Sequence, residues 1–177
     1  DDAEAHYWFG AAAGSLAANG IMSLYEDRAG RVWVGTFGGG VSRYDRRTGQ
    51  FTNYATGASG LESNRITAFA EDPSGRMWVG TDAGGLSLYD PATDSFHTYR
   101  HDPDVVGTLA DDSVYDIAVD ADGTVWVGTR GGGLDRVVGQ TRPPEAITLA
   151  HPSEVDGPGH DTHYALAFPS GAWPRLS

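Results

Sequence analysis

The sequence predicts an all-β protein assembled from repeated four-stranded antiparallel sheets, and a threefold repeat is the first observation behind this prediction. The copies read RVWVGTFGGGVSRYD at residues 31–45, RMWVGTDAGGLSLYD at 76–90 and TVWVGTRGGGLDRVV at 124–138. Their tryptophans follow one another after 45 and 48 residues. This period is close to the roughly 40–50 residues of a four-stranded repeat unit.

The second observation is the order of short strand-like segments around each copy. Residues 21–27, 66–72 and 114–120 are rich in β-branched and aromatic residues and end in Asp, which opens a turn before the Trp-containing strand. A glycine-rich turn and a third strand follow. The aromatic segments at 51–54 and 96–99 then supply a fourth strand. Each unit therefore predicts a meander of four strands.

Apolar columns on both faces of these sheets indicate how the units assemble. One such sheet is marginal alone, and stacking sheets face to face around an axis buries both faces. The sequence thus predicts a partial β-propeller with blades at about 15–54, 61–99 and 109–138. Because propellers have about 4–8 blades, we expect the remaining blades to come from flanking sequence or from another copy. Two copies would make six blades.

The two ends of the chain depart from the repeat. Residues 6–9, His-Tyr-Trp-Phe, are predicted to be a fourth strand of a neighbouring blade, which two copies could exchange. The third unit lacks the Phe-x-x-Tyr segment. Residues 139–177 instead form an aperiodic tail rich in Pro, Gly and His. This tail is compatible with a linker, an artefact or a changed reading frame.

Composition narrows the classes of partner. Twelve Lys and Arg against 24 Asp and Glu give a net charge of −12. This charge argues against nucleic acid or an anionic membrane as partner. The absence of Cys excludes disulfides, thiol catalysis and Cys-based zinc sites. No run approaches the roughly 18 apolar residues of a membrane span. We expect no cofactor and no membrane contact from this segment.

The repeated WVGT-x-x-GG-[VL]-x-x-[YV] core, preceded by I-x-x-[LF]-x-E-D-x-x-G, resembles the two-component regulator propeller repeat over roughly residues 15–137. The resemblance implies a non-enzymatic module from the periplasmic sensor half of bacterial hybrid histidine kinases or of some diguanylate cyclases. Such propellers are thought to sense breakdown products of polysaccharides. It therefore implies a periplasmic location, a small or oligosaccharide ligand, and an output domain beyond the membrane.

Two motifs allow both a chemical and a structural interpretation. The repeated tryptophans could stack on sugars, but identical mid-strand contexts favour a packing role. His160, Asp161 and His163 could bind a metal, although nothing in the aperiodic tail fixes their geometry. No spacing supports a catalytic triad or an acid–base pair, so we predict no catalytic residue and no metal site.

Ligand contacts are predicted where the copies differ at one loop position. Phe37, Asp82 and Arg130 occupy that position after the second strand of each unit. Arg65 and Asp112, in the connectors, are predicted to lie on the same face. Diversified loop side chains suit a binding surface. Simple drift of exposed positions is the alternative.

Three functions remain open on the sequence. The first is a ligand-sensing segment of a two-component or related receptor. The second is a self-assembling structural scaffold. The third is a glycan-active lyase or hydrolase, which would need convergent carboxylates or a His pair across blades.

Overall fold

The computed structural model describes residues 6–10, 12–138 and 148–150 and contains twelve β-strands. They form three four-stranded antiparallel sheets, hereafter the first, second and third blades. The strands are β1 Ile21–Glu26, β2 Val32–Thr36, β3 Val41–Asp45, β4 Gln50–Tyr54, β5 Ile66–Glu71, β6 Met77–Thr81, β7 Leu86–Asp90, β8 Ser95–Tyr99, β9 Val114–Val119, β10 Val125–Thr129, β11 Leu134–Val138 and β12 Thr148–Ala150.

Each blade is a simple meander, since its strands are hydrogen-bonded in chain order. The predicted all-β class and the four-stranded antiparallel blade are confirmed. The Asp-to-Gly turn joins the first two strands of every blade: the amides of Gly30, Gly75 and Gly123 donate to the carbonyls of Asp27, Asp72 and Asp120. These glycines have positive φ angles of 75–83°, which glycine adopts without steric cost.

The third blade has a fourth strand that the sequence analysis missed. β12 pairs with β11 through Val137 and Leu149, as Tyr89 pairs with Phe96 in the second blade. Leu149 is buried in the core. The strand is only three residues long and follows nine undescribed residues rather than a short Asp turn. A three-residue strand with one residue in the core carries too little pattern to be predicted.

Residues 6–10 contain no strand, only a bridge between Phe9 and Leu16. Tyr7 nevertheless packs against Tyr44 and Phe51, with ring centroids 5.1 and 5.5 Å apart. Tyr54, at the end of β4, packs in the same way on Tyr89 and Phe96 of the next blade. Tyr7 thus occupies a place that suits a fourth-strand tyrosine. The assignment of residues 6–9 to a neighbouring blade stays a prediction.

Two apolar clusters join the blades. One lies between the first and second blades and includes Trp33, Ile66 and Val79. The other lies between the second and third blades and includes Trp78, Val114 and Val127. The first strands of successive blades are in contact, β1 with β5 and β5 with β9. The sheets therefore pack face to face, as the apolar columns predicted.

Glycine in the WVGT segment allows this close approach. A Cβ added to Gly35 would lie 2.7 Å from Ile66 Cγ2 of the second blade, and one added to Gly80 would lie 2.8 Å from Val114 Cγ1 of the third. Real Cβ atoms essentially never come this close to a neighbour. The glycine is thus required by the neighbouring blade, beyond any role in its own strand.

An aspartate–tryptophan clamp fixes each first hairpin. The indole Nε1 atoms of Trp33, Trp78 and Trp126 donate to Asp27, Asp72 and Asp120 at 2.7, 3.2 and 2.8 Å. Trp33 and Trp78 are 0% exposed, so they pack in the core and cannot form a sugar-stacking platform. A buried indole N–H requires such an acceptor.

Hydrogen bonding lowers the pKa of two of the clamp carboxyls. Burial of Asp72 favours its neutral form, but donors on Arg76, Ser74 and Trp78 outweigh burial and hold its pKa below the ordinary value of 3.8. The same balance, with Trp33 and Arg31 as donors, lowers the pKa of Asp27. These carboxylates are therefore stabilised in their ionised form.

Replacing Asp72 by Asn should destabilise the chain by about 2–3 kcal/mol, because an amide nitrogen would face the buried donors of Trp78 and Arg76. Denaturant unfolding followed by tryptophan fluorescence measures this change. Asp102→Asn, in an exposed turn, is the matched control and should change stability by less than about 0.5 kcal/mol. Equal effects of the two variants would contradict the clamp.

The clamp also predicts how stability depends on pH. Because the folded-state pKa values of Asp27 and Asp72 lie below 3.8, their stabilisation is present above about pH 4 and is lost as pH falls through those values. The unfolding free energy should therefore decrease on acidification below about pH 4. Asp72→Asn should show a smaller decrease in a pH series of denaturant unfolding. A parallel decrease in the variant would assign the effect to other groups.

Candidate functional site

The predicted ligand-contact positions lie at the end of the blades that carries the loops after β2, β6 and β10. In every blade this loop position pairs with the residue just before the first strand. The amides of Phe37, Asp82 and Arg130 donate to the carbonyls of Gly20, Arg65 and Ser113 at 2.7, 3.0 and 2.9 Å. The second and third blades thus each present two neighbouring side chains on this face, whereas the first presents Phe37 alone because Gly20 has no side chain.

Side chains at these positions connect across blades. The Arg65 guanidinium lies over the Phe37 ring, 4.9 Å from its centroid. Arg65 Nη1 donates to Asp82 Oδ2 at 3.0 Å, and Ser113 Oγ donates to Asp82 Oδ1 at 3.3 Å. The backbone amide of Arg130 donates a hydrogen bond to the Ser113 carbonyl. We call this set of residues the loop-face row: Phe37, Arg65, Asp82, Ser113 and Arg130.

The row is accessible from solvent. Phe37 is 54% exposed, Asp82 is half-buried and Ser113 is buried. Arg130 is also exposed, and its guanidinium has no hydrogen-bond or ion-pair partner within residues 6–10, 12–138 and 148–150. The row therefore combines an exposed aromatic ring on Phe37, the Arg65–Asp82 ion pair, and the Arg130 guanidinium, which is available to a ligand.

Asp112 does not join the row. Its carboxylate accepts hydrogen bonds from Arg100 Nε at 3.1 Å and from the His101 amide at 2.7 Å. Burial alone would raise the pKa of Asp112, but Arg100 and His101 outweigh burial and lower it. Its carbonyl also accepts from the Gly85 amide at 2.7 Å. In this conformation Asp112 braces the connector before the third blade.

Ser113 is the row residue that the sequence analysis missed. It stands directly before β9, as Arg65 stands directly before β5. Aligning the blades on their first strands would have found it. Its small side chain gave no chemical signal, whereas the charged Asp112 beside it did.

A second cluster lies at the opposite end of the blades. The Arg43 guanidinium lies 5.4–5.6 Å from the ring centroids of Trp33, Tyr54 and Tyr89. Asp94 accepts hydrogen bonds from Tyr54 at 2.7 Å, Tyr89 at 2.5 Å and Arg43 at 3.3 Å. These hydroxyls lower the pKa of Asp94, while burial raises the pKa of Tyr54. The cluster ties the first blade to the second.

A cleft of about 400 Å³ opens beside this cluster and is lined by Arg31, Arg43, Asp45, Tyr89 and Asp94, among others. Both of its arginines are paired: Arg31 with Asp27 at 2.7 Å and Arg43 with Asp94 at 3.3 Å. The cleft therefore forms where the first and second blades meet. It offers a ligand less free hydrogen-bonding capacity than the loop-face row does.

The described residues hold neither a metal-binding cluster nor a membrane-spanning helix. Within them, no group of three or more His, Asp or Glu residues could hold a metal ion, and no helix is long and apolar enough to cross a membrane. His160, Asp161 and His163 lie outside the described residues, as does most of the 139–177 tail.

The chain matches the family model described as "Two component regulator propeller" three times, at residues 15–38, 60–83 and 108–131. Each match runs from the connector through the first two strands to the loop that carries Phe37, Asp82 or Arg130. The predicted resemblance is confirmed. No curated protein matches the chain.

Solved structures resemble the fold and its repeats. The extracellular domain of BT4673 from B. thetaiotaomicron, described as a hybrid two component system, is 27% identical with a TM-score of 0.62, covering 80% of this chain and 20% of that one. The extracellular domain of BT3049 from the same organism, also described as a hybrid two component system, is 25% identical with a TM-score of 0.59. This match covers 76% of this chain and 17% of that one. PorZ of Porphyromonas gingivalis is 20% identical with a TM-score of 0.54, so this match shows a similar fold alone. It covers 74% of this chain and 19% of PorZ. The chain spans about a fifth of these structures.

Proposed function

Because the chain carries three two-component regulator propeller repeats, we propose that it is a ligand-sensing segment of a bacterial signalling receptor. The ligand is a small polar molecule or an oligosaccharide bound at the loop-face row. The segment binds without catalysing a reaction. Its location is periplasmic, in keeping with the extracellular domains that it resembles. The output domain belongs to a longer parent protein.

The observation that supports this proposal is that three blades contribute side chains of different chemistry to one exposed row. The face of an aromatic ring stacks on the C–H face of a sugar or on another planar group. Carboxylate and guanidinium groups bind pairs of hydroxyls through charge-assisted hydrogen bonds. Phe37, Asp82 and Arg130 supply these groups, while Arg65 and Ser113 hold Asp82 in place. Binding sites typically combine such an apolar surface with a few oriented polar groups.

Sensing also requires that ligand binding change the conformation of the protein. The loop-face row can couple binding to the arrangement of the blades. Its members come from different blades, so a ligand that contacts Phe37, Asp82 and Arg130 together favours one arrangement of the three sheets. A ligand that binds only the assembled state stabilises it by mass action. The same differential affinity can shift a receptor between two conformations.

The Phe37→Ala, Asp82→Ala, Arg130→Ala triple variant should abolish the ligand-induced rise in melting temperature. The assay is differential scanning fluorimetry with a panel of neutral and acidic oligosaccharides. A glycan that stabilises the parent chain at about 100 times its Kd should contribute about 2.7 kcal/mol. That contribution should vanish in the variant, while its unliganded melting temperature stays close to that of the parent, since all three positions are in loops.

The matched control removes one Arg and one Asp from turns at the opposite end of the blades, as Arg47→Ala with Asp122→Ala. Both residues are exposed. This control should keep the full ligand-induced shift. An unchanged shift in the triple variant would overturn the site, and an absence of any shift across the panel would overturn the oligosaccharide ligand. Release of a reaction product during incubation would favour the glycan-active enzyme.

A further inference from the structure

The cleft between the first and second blades, at the end opposite the loop-face row, has both of its walls within this chain. One wall comes from the first blade and the other from the second: Arg31, Arg43 and Thr52, and Tyr89, Pro91 and Asp94. Its volume of about 400 Å³ lies within the range of roughly 300–1,000 Å³ that small-molecule sites have. The cleft is therefore complete without any flanking blade.

The register of the first blade explains why polar side chains converge on the cleft. Arg43 on β3 is paired with Trp33 on β2 and with Thr52 on β4. Residues paired across strands share a face of the sheet, and side chains alternate along each strand. Arg31 and Asp45 are each two residues from a member of this set, so they lie on the same face. That face packs on the second blade, since the Trp33 ring contacts an aromatic ring there.

Internal pairing orients the charged groups of the cleft and still leaves them hydrogen-bonding capacity. Arg31 donates through Nε to Asp27. Arg43 donates through Nη1 to the Tyr89 hydroxyl and to Asp94, which accepts all of its side-chain hydrogen bonds at Oδ1. Among the residues that the structure describes, the other guanidinium nitrogens of Arg31 and Arg43 and the Oδ2 atom of Asp94 have no hydrogen-bond partner. These free groups are fewer than in the loop-face row, but two walls hold them in a concave site.

The charges that line the cleft indicate what kind of molecule fits it. They balance, since its two arginines stand against two aspartates, Asp45 and Asp94. A ligand with a net charge of either sign would therefore meet groups of like charge. Hydroxyls suit both kinds of group, because a guanidinium edge donates to two neighbouring oxygens and a carboxylate accepts from two hydroxyls. Tyr89 and Pro91 add apolar surface for C–H groups.

We propose that the cleft is a second ligand site, which binds a neutral, polyhydroxylated molecule of monosaccharide size, such as a hexose or a hexitol. The site lies at the opposite end of the blades from the loop-face row, so neither site requires the other. Because its walls belong to different blades, an occupied cleft stabilises the joint between them by mass action.

The joint between the second and third blades shows which residues make this site specific to the first joint. There Leu88 stands at the position of Arg43, and His97 stands at the position of Thr52. Leu88 is buried in the apolar cluster between those blades. The side chain at this position thus changes from a hydrogen-bond donor to an apolar group, and Arg43→Leu reproduces that change.

Backbone-amide NMR titrations test the site with glucose and glucitol as neutral probes and with glucuronate and glucosamine as charged ones. The neutral probes should shift the amides of residues 43–45 and 89–94 at up to tens of millimolar probe. Arg43→Leu should weaken this binding about tenfold or more, because charge-assisted hydrogen bonds are lost. Thr52→Val, which leaves Arg43 and its partners in place, should weaken it about threefold or more.

Arg47→Leu is the matched control, because it removes an exposed arginine of the adjacent turn that does not line the cleft. It should leave the dissociation constant within about twofold of the parent value. The triple variant of the loop-face row should keep the shifts at the cleft, since the two sites are independent.

An absence of shifts at the cleft with every probe would overturn the site, whatever the loop-face row binds. Shifts confined to the loops that carry Phe37, Asp82 and Arg130 would support the proposed sensing function and overturn this second site. Tighter binding of glucuronate or glucosamine than of the neutral probes would overturn the ligand class. Equal binding by the parent, Arg43→Leu and Thr52→Val would overturn the assignment of these residues to the site.

Discussion

Close packing between the inner strands of successive sheets is the interaction on which this structure depends. Each blade alone is a small sheet of short strands, which is marginally stable in water. Ile66 and Val114 become fully buried only because the preceding blade offers a glycine, Gly35 or Gly80, opposite them. Burying one such side chain contributes about 1.5–3 kcal/mol. The repeated WVGT segment therefore encodes a contact between units as much as a strand within one.

Polar groups determine how the sheets are positioned within this packing. The Asp–Trp clamp holds the first hairpin of each blade and satisfies a buried indole N–H. At the joint between the first and second blades, Arg43 lies among three aromatic rings and reaches Asp94. Asp94 has a positive φ of 51°, and Gly49, at the equivalent position in the first blade, has a positive φ of 70°. These contacts fix one geometry where apolar surfaces alone would permit sliding.

The fold could be predicted from the sequence because its determinants recur. Alternating apolar columns, Asp-to-Gly turns and a shared period specify strands, hairpins and their stacking. β12 could not be predicted, because its single core residue, Leu149, lies outside the spacing of the other fourth strands. The contacts of Asp94 could not be predicted either, since they join a turn of the second blade to Arg43 and Tyr54 on strands of the first, 51 and 40 residues away in the chain.

The part of the candidate site that could be predicted consists of positions that recur at equivalent places in each blade. Phe37, Arg65 and Asp82 lie in contact, as equivalent loop positions of adjacent blades suggested. Their role in binding stays a prediction. Asp112 was placed with them by charge and position, yet its carboxylate is held by Arg100, a partner that sequence spacing did not reveal. Where a charged side chain is directed depends on its neighbours in space, whereas strand positions depend on the chain itself.

The dependence of each blade on its neighbours is most directly tested by amide hydrogen exchange along this chain. The second blade is covered on both faces, so the amides of β5 and β6 should exchange slowest, with those of β1 at least about tenfold faster. Protection of β1 equal to or greater than that of β5 would show that a blade is stable without a neighbour, and would contradict the account.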